Sequence, residues 1–202
     1  KPAAAATAAP MVDPTKPAAA AAGSAVTIGL LTDRSASLAI YGPMLENGFA
    51  IGLDYATKGT MKVAGKDIKI VIKDAGDKPE TGITLAREAI EKDGAKLLAG
   101  VASSAVALAV SGVAKDNKIV YNACPAASPD LTGKSFNEYT FRASRTSVQD
   151  ALTMGGALVQ MGKKFVQIAP DNAFGRGSAA GFWATVKALG GNFVVGDDDK
   201  GV

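Results

Sequence analysis

The sequence has no histidine and only one cysteine, and these two absences exclude the most common catalytic and metal-binding arrangements. Histidine is the commonest general base and the commonest zinc ligand, so both the usual serine triad and the usual zinc site lack a component. Cys124 has no second cysteine with which to form an internal disulfide, which leaves the redox compartment open. The absence of histidine therefore restricts the possible chemistry more than any other feature of the composition.

Long apolar runs and blocks of basic residues are also missing. The longest apolar runs fall short of the roughly 20 residues that a membrane-spanning helix requires. The 22 basic and 19 acidic residues are interspersed, and no basic stripe rich in aromatic residues occurs, so nucleic acid is not an expected partner. The 202 residues are 48% hydrophobic, which supplies enough apolar side chains for one ordinary domain or two small ones.

Residues 1–24 have a composition unlike the rest of the chain. They hold four of the nine prolines and eleven alanines, with almost nothing large enough to pack. This composition predicts a disordered or semi-extended tether. Such a tether is expected after a cleaved signal or a lipid-anchored cysteine, and the alternative is an inter-domain or expression linker.

From Ala25 onward, predicted strands and helices alternate. The predicted strands are 25–31, 67–74, 95–100, 117–123, 140–144, 164–170 and 192–195. The predicted helices are 43–57, a segment around 83–90 that Gly94 closes, 103–114, 148–159 and 174–189. This alternation predicts an α/β fold with a parallel sheet covered by helices on both faces. Ligands then collect where strands enter helices, in the loops 32–42, 101–104, 123–128 and 170–175.

Two adjacent serines, Ser103 and Ser104, lie in the second of these loops. A nucleophilic serine needs a base, and both histidine and the G-x-S-x-G turn are missing; a serine–lysine pair remains open. A serine at a helix start can instead simply cap the helix. Together with exposed amides and the helix dipole, it can also form a pocket for a carboxylate.

Other candidates each have a structural and a functional interpretation. The glycines of "PDNAFGRGSAAG" superficially resemble a dinucleotide fingerprint that ends in Asp197–Asp199, or they open a helix capped by Asp171. Asp74, Asp77 and Glu80 are better interpreted as solvated loop charges than as a cation site.

Three larger side chains are also candidates for ligand binding. Tyr41 and Phe174 lie in strand-to-helix loops beside a glycine and either pack locally or wall an apolar ligand. Arg145 lies between the two sets of strands and either meets an anion or makes a structural ion pair.

Five ordered segments together resemble the type I periplasmic solute-binding proteins, in particular the branched-chain amino-acid-binding (Leu/Ile/Val-binding) family of ABC transporters. They are "VTIGLLTD…YGPMLENGFAIGLDYA", "GKDIKIVIKDAGDKPETGITLAREAIEKDGAKLLAGVASSAVALAV", "PAASPDLTG", "TFRASRTSVQDA" and "DNAFGRGSAAGFWATVKALGG". The resemblance covers residues 25 to about 195 and implies two α/β lobes that close over a small solute. We expect a first lobe at 25–143 and an incomplete second lobe at 144–202.

The resemblance also implies site residues and partners. Ser104 matches the serine that holds the ligand carboxylate, with Ser103 beside it, and Ala126 and Ala127 match the backbone segment that completes this site. Tyr41 and Phe174 match aromatic residues on opposite lobes of the cleft. The implied function is the solute-binding component of an ABC importer, located in the periplasm or otherwise outside the cytoplasmic membrane. Its implied partners are a small solute and the permease subunits. By the same resemblance we expect a protein that is not an enzyme and that carries no metal and no cofactor.

Two departures from the family pattern limit these expectations. Ala127 stands where amino-acid binders carry a threonine, so an α-amino acid is less secure as the ligand than an amide or an aromatic acid. The second lobe has few strands, so we expect this stretch alone to bind weakly. A ligand-sensing domain of the same fold and a nucleotide-dependent oxidoreductase that uses Gly175–Gly181 are the alternatives.

Overall fold

The computed structural model describes residues 25–194. The predicted tether at 1–24, the end of the last predicted strand at Val195 and the acidic run Asp197–Asp199 lie outside the described residues. Within the described part, the predicted alternation of strands and helices is confirmed. None of the helices in this part combines the length and the apolar character that crossing a membrane demands.

Six strands form the main sheet. They are β1 (Val26–Thr32), β2 (Lys62–Val63), β3 (Lys66–Asp74), β4 (Leu97–Gly100), β5 (Val120–Ala123) and β6 (Thr140–Arg142), in the order β2-β3-β1-β4-β5-β6. All neighbouring pairs are parallel except β2 and β3, which form an antiparallel hairpin at the edge. The sequence pattern did not predict this hairpin, because β2 has only two residues.

Residues 25–194 contain five α-helices. They are α1 (Tyr41–Thr57), α2 (Pro79–Glu91), α3 (Ser104–Asn117), α4 (Ser147–Met161) and α5 (Ala173–Ala188). On one face of the main sheet, Leu45 and Phe49 of α1 pack against Leu30. On the other face, α2 and α3 cover Leu31 and Leu98. Helices therefore cover both faces, as the alternation of strands and helices predicted.

The residues after Ser144 form a much smaller unit. Helices α4 and α5 pack against each other, and β7 (Lys164–Phe165) pairs in parallel with β8 (Asn192–Phe193). The predicted strand at 164–170 is wrong beyond Phe165, because β8 is the only strand paired with it in the described chain and it has two residues. Ile168 is consequently 97% exposed. The lobe boundary at residue 143 stays a prediction.

Candidate functional site

A cavity of about 300 Å³ lies at the carboxyl ends of the main-sheet strands, where parallel α/β sheets usually bind ligands. All four predicted loops contribute to it, together with the helix starts that follow them. The lining residues include Leu38, Tyr41, Ala102, Ser103, Ser104, Ala105, Pro125, Ala127, Arg145, Pro170, Asn172 and Phe174. The cavity is thus formed by the main-sheet region on one side and by residues after Ser144 on the other.

The two serines have different roles at the start of α3. Ser103 is the N-cap, and its Oγ accepts a long hydrogen bond of 3.5 Å from the amide of Val106. Ser104 is the first helical residue, 3% exposed, and its Oγ accepts a hydrogen bond of 3.2 Å from the amide of Ser128. The hydroxyl proton of Ser104 is therefore free to be donated elsewhere. Neither serine is hydrogen-bonded to a lysine in the described chain, which leaves the serine–lysine alternative without support.

The first turn of α3 supplies further donors. A helix leaves its first backbone amides without intrahelical acceptors and carries a partial positive charge at this end. Ser104 and Ala105 belong to this turn, and both line the cavity. An anion that enters here meets amide dipoles and a hydroxyl, which is the usual chemistry of carboxylate recognition at helix starts.

Asp33 lies fully buried beneath this turn, and the sequence interpretation did not identify it. Its Oδ2 accepts a hydrogen bond of 2.6 Å from the amide of Ala102, while its Oδ1 has no hydrogen-bond partner in the described part of the chain. Burial raises the pKa of Asp33 to about 6, and the amides of Ala102 and Ser103 oppose this shift. Its position directly after the buried strand β1, at the carboxyl edge of the sheet, was a signal that could have revealed it.

Two aromatic side chains face the cavity from opposite sides. Tyr41 is the first residue of α1, where a loop was predicted, and Phe174 is the second residue of α5, at the start of the predicted helix. Each is followed by a glycine that allows close packing of the helix start. A Cβ on Gly42 would lie 2.7 Å from the carbonyl oxygen of Asp33, and one on Gly175 would lie 1.9 Å from that of Pro170. The glycines therefore set where the two aromatic residues stand.

Arg145 makes the structural ion pair that one interpretation predicted, and it also lines the cavity. Its Nε lies 3.3 Å from Oδ2 of Asp150, and its Nη1 lies 3.5 Å from the carbonyl oxygen of Pro125. The side chain is about half exposed, so its guanidinium keeps donors that can reach an incoming anion.

Ala126 and Ala127 occupy different positions. Ala127 lines the cavity, and its carbonyl oxygen accepts a hydrogen bond of 3.0 Å from the amide of Ser147. Ala126 is fully buried behind the wall, where its amide donates to the carbonyl of Val101 and its carbonyl accepts from Ser144. The structure therefore brings Ala127 into the site but not Ala126, because both backbone groups of Ala126 tie strands and loops together.

The glycine-rich segment at the start of α5 is used for packing. Asn172, and not Asp171, caps α5 by accepting a hydrogen bond of 2.9 Å from the amide of Gly175. Asp171 instead pairs with Arg176. A Cβ on Gly177 would lie 2.9 Å from Pro129, so this glycine serves close contact within the protein. These contacts favour the structural interpretation over a dinucleotide-binding turn.

The acidic residues near α2 are engaged with their neighbours. Oδ1 of Asp74 accepts hydrogen bonds from the amides of Arg34 and Gly76, and Asp77 accepts one from Ser37. Within residues 25–194, no group of three or more histidine, cysteine, aspartate or glutamate side chains is placed to hold a metal ion.

Comparison with known proteins places this arrangement in context. The sequence model of the family described as "periplasmic binding protein" matches residues 25–200. The Leu/Ile/Val-binding protein BraC3 of Rhizobium johnstonii is 29% identical over 173 residues, which is 85% of this chain and 47% of that protein. The chain thus spans about half the length of the curated relatives it matches.

Solved structures of similar proteins agree in fold. An ABC-type branched-chain amino acid transporter protein of Rhodopseudomonas palustris is 36% identical, with a TM-score of 0.68, over 83% of this chain and 45% of that one. A solute-binding protein of an ABC transporter from the same species, in complex with 3,4-dihydroxybenzoic acid, is 29% identical with a TM-score of 0.76, over 84% of this chain and 46% of that one.

Proposed function

The chain belongs to the periplasmic binding protein family, and on that premise we propose that it binds a small carboxylate-bearing solute as the solute-binding component of an ABC importer. The predicted family and the α/β fold of type I periplasmic binding proteins are confirmed. The ligand and the transport role belong to the proposal, because the chain spans only about half of its relatives.

The observation that carries the proposal is the convergence of Ser104, the start of α3 and Arg145 on one cavity. The hydroxyl of Ser104, the first-turn amides and the guanidinium are all donors, and hydrogen bonds to a charged acceptor are the strong ones. The volume of about 300 Å³ is at the lower end of the range for small-molecule sites. We expect the ligand carboxylate to lie against Ser104 and Ala105.

The remaining lining favours an organic acid with an apolar body over an α-amino acid. Tyr41 and Phe174 offer aromatic surface from opposite sides. An ammonium group would need an acceptor, and none of the cavity-lining residues in the described chain is acidic. Ala127 also lacks a hydroxyl that could accept from it. The related protein from R. palustris with 3,4-dihydroxybenzoic acid is in keeping with an aromatic acid.

Titration calorimetry of the full-length protein with leucine, benzoate, 4-hydroxybenzoate and the neutral analogue benzamide tests the ligand class. We expect the aromatic acids to bind more tightly than leucine and benzamide. Replacing Ser104 with alanine should weaken acid binding by about 1–3 kcal/mol, because a buried charged group loses a donor.

Ser135→Ala is the matched control, since Ser135 is exposed and does not line the cavity. Its affinity should equal that of the parent protein. Equal affinity in Ser104→Ala would refute the assigned role of Ser104, and absence of binding by every acid in the panel would refute the proposed function.

The proposed partners are the permease subunits of the importer, and the proposed location is outside the cytoplasmic membrane. Family membership supports a periplasmic location. Attachment to a membrane through residues 1–24 remains a proposal that fractionation can test: the protein should remain with membranes after a salt wash if it is anchored, and should appear in the soluble fraction if it is not.

A further inference from the structure

We infer that binding of a carboxylate at the start of α3 is coupled to uptake of a proton by Asp33, whose buried side chain lies directly behind the donors that would hold the ligand. This inference rests on the proposed function, because it concerns the same cavity. Asp33 does not line the cavity and is a positioning residue, since it acts through the backbone of Ala102 and Ser103.

The loop before α3 connects the carboxylate of Asp33 to the proposed site of the ligand carboxylate. Oδ2 of Asp33 accepts the amide of Ala102 at 2.6 Å, and Ala102 and Ser103 are themselves cavity-lining residues. A ligand carboxylate held by Ser104 and Ala105 would therefore be separated from the fully buried carboxylate of Asp33 by the backbone of Ala102 and Ser103. Two like charges on the two sides of one loop repel each other, and burial of one of them reduces the screening by water.

The two oxygens of Asp33 are not equivalent, and the difference shows where the proton can go. Oδ2 is committed to Ala102, whereas Oδ1 is buried without a hydrogen-bond partner in residues 25–194. Oδ1 can carry a proton while Oδ2 continues to accept from the amide of Ala102. The loop that carries the serines then keeps its conformation, and only the charge beneath it is removed.

The other charged groups around Asp33 increase this tendency. Asp74 at the end of β3 and Asp77 before α2 are both negative and both raise the pKa of Asp33. On α1, Glu46 is negative but is paired with the guanidinium of Arg34. On β5, Tyr121 is buried and its hydroxyl donates to the carbonyl of Gly100, which leaves it neutral.

Two further neighbours within residues 25–194 carry no charge. Cys124 follows β5, and burial raises the pKa of its thiol, so it stays neutral as well. The first turn of α3 contains no acidic or basic residue. Since burial already raises the pKa of Asp33 to about 6, a ligand anion nearby raises it further, into the range of neutral pH.

The direction of the pH effect follows from linkage. Proton uptake on binding means that affinity is highest at low pH and falls as pH rises through the pKa of Asp33 in the free protein. We expect the affinity of the full-length protein for benzoate to fall about tenfold between about pH 5 and pH 8. Benzoate is itself ionised throughout this interval, so its own titration does not produce the change.

The test is calorimetry with benzoate and 4-hydroxybenzoate in two buffers that differ in ionisation enthalpy, which reports the number of protons taken up. We expect uptake of a substantial fraction of one proton near pH 6.5 in the parent protein. Asp33→Asn keeps the shape and an acceptor for Ala102, and should bind benzoate with an affinity that changes less than about twofold over the same interval. Asp116→Asn removes an exposed charge from the far end of α3 and should behave as the parent protein does.

Three outcomes would overturn the inference. Parent protein that binds benzoate with no proton uptake and no pH dependence would refute the coupling while leaving the proposed function intact. Asp33→Asn that retains the pH dependence would assign the proton to another group. No binding of either acid at any pH would refute the proposed function and this inference with it. Because proton uptake is measured on the parent protein, failure of Asp33→Asn to fold would not remove the test.

Discussion

The region up to Arg142 and the region after Ser144 have the same kinds of elements but very different packing. In the first region, β1 has seven residues and pairs on both sides, so Leu30, Leu31 and Leu98 are almost fully buried. In the second region, β7 and β8 have two residues each, and Met161 and Ile168 are at least 85% exposed. Within residues 25–194, the helix pair of the second region has only two short strands beside it, so fewer of its apolar side chains are covered than in the first region.

Both regions contribute residues to the candidate site. The donors at the start of α3 and the buried Asp33 belong to the well-packed region, whereas Arg145 and Phe174 belong to the less buried one. Precise polar recognition depends on side chains and amides that are held by their surroundings. We therefore expect carboxylate recognition to depend mainly on the first region. The prediction that this stretch alone binds weakly remains open and concerns mainly the second wall of the cavity.

The largest expected effect is on the core of the first region. Leu98→Ala should lower the free energy of unfolding by about 2–5 kcal/mol, because Leu98 is fully buried between β1, α2 and α3. Ile168→Ala, in the exposed part of the second region, should change it by less than about 0.5 kcal/mol. Urea denaturation followed by circular dichroism measures both values. Equal losses in the two variants would contradict the proposed difference in packing.

The next effect concerns Asp33, whose ionised carboxylate lowers the free energy of unfolding of the first region. Because the pKa of Asp33 is raised on folding, its ionisation favours the unfolded chain, and stability is lost as pH rises from about 4 to about 6. Asp33→Asn should therefore raise the free energy of unfolding by about 2–3 kcal/mol at neutral pH, with no gain at about pH 4.

Urea midpoints at the two pH values measure this difference, and Asp116→Asn again serves as the exposed control. A neutral-pH gain that persisted unchanged at low pH would show that the charge of Asp33 is not its cause.

The smallest expected effect is on stability and concerns the N-caps of two helices, α4 in the second region and α3 in the first. α4 begins with a capping box, in which Thr146 Oγ1 accepts from the amide of Gln149 at 3.1 Å and Gln149 Oε1 accepts from the amide of Thr146 at 2.7 Å. Thr146→Ala should lower stability by about 1 kcal/mol. Ser103→Ala, whose cap bond is 3.5 Å long, should lower it less. A thermal melt of each variant checks the order, and a larger loss for Ser103→Ala would reverse it.

Much of the fold could be predicted from local patterns. The alternating residues of β3, the apolar runs of β1 and β4 and the helical spacing in α2 and α4 each matched the observed element. The errors occurred where partners decide the outcome. The segment 166–170 has the composition of a strand, but in the described residues only Lys164 and Phe165 pair with a neighbouring strand, and composition does not reveal how long such pairing extends.

Residues from all four of the segments predicted as loops line the cavity. The rule that parallel strands end at the same edge of a sheet is enough to bring them together. The roles of individual residues were less accessible. Which of Ser103 and Ser104 caps α3, and whether Ala126 or Ala127 reaches the cavity, depends on backbone angles and on hydrogen bonds to Val101, Ser128 and Ser144.

The sequence by itself determined the α/β class, the absence of histidine chemistry and the presence of a serine at a helix start, because all three follow from composition and short-range periodicity. Only the tertiary structure decided that Asp33 is buried behind that helix start with one oxygen unpaired. The reason is physical: a carboxylate after a strand has an ordinary pKa when water reaches it. Only the packing of β1 against its neighbours and the loop before α3 removes that water.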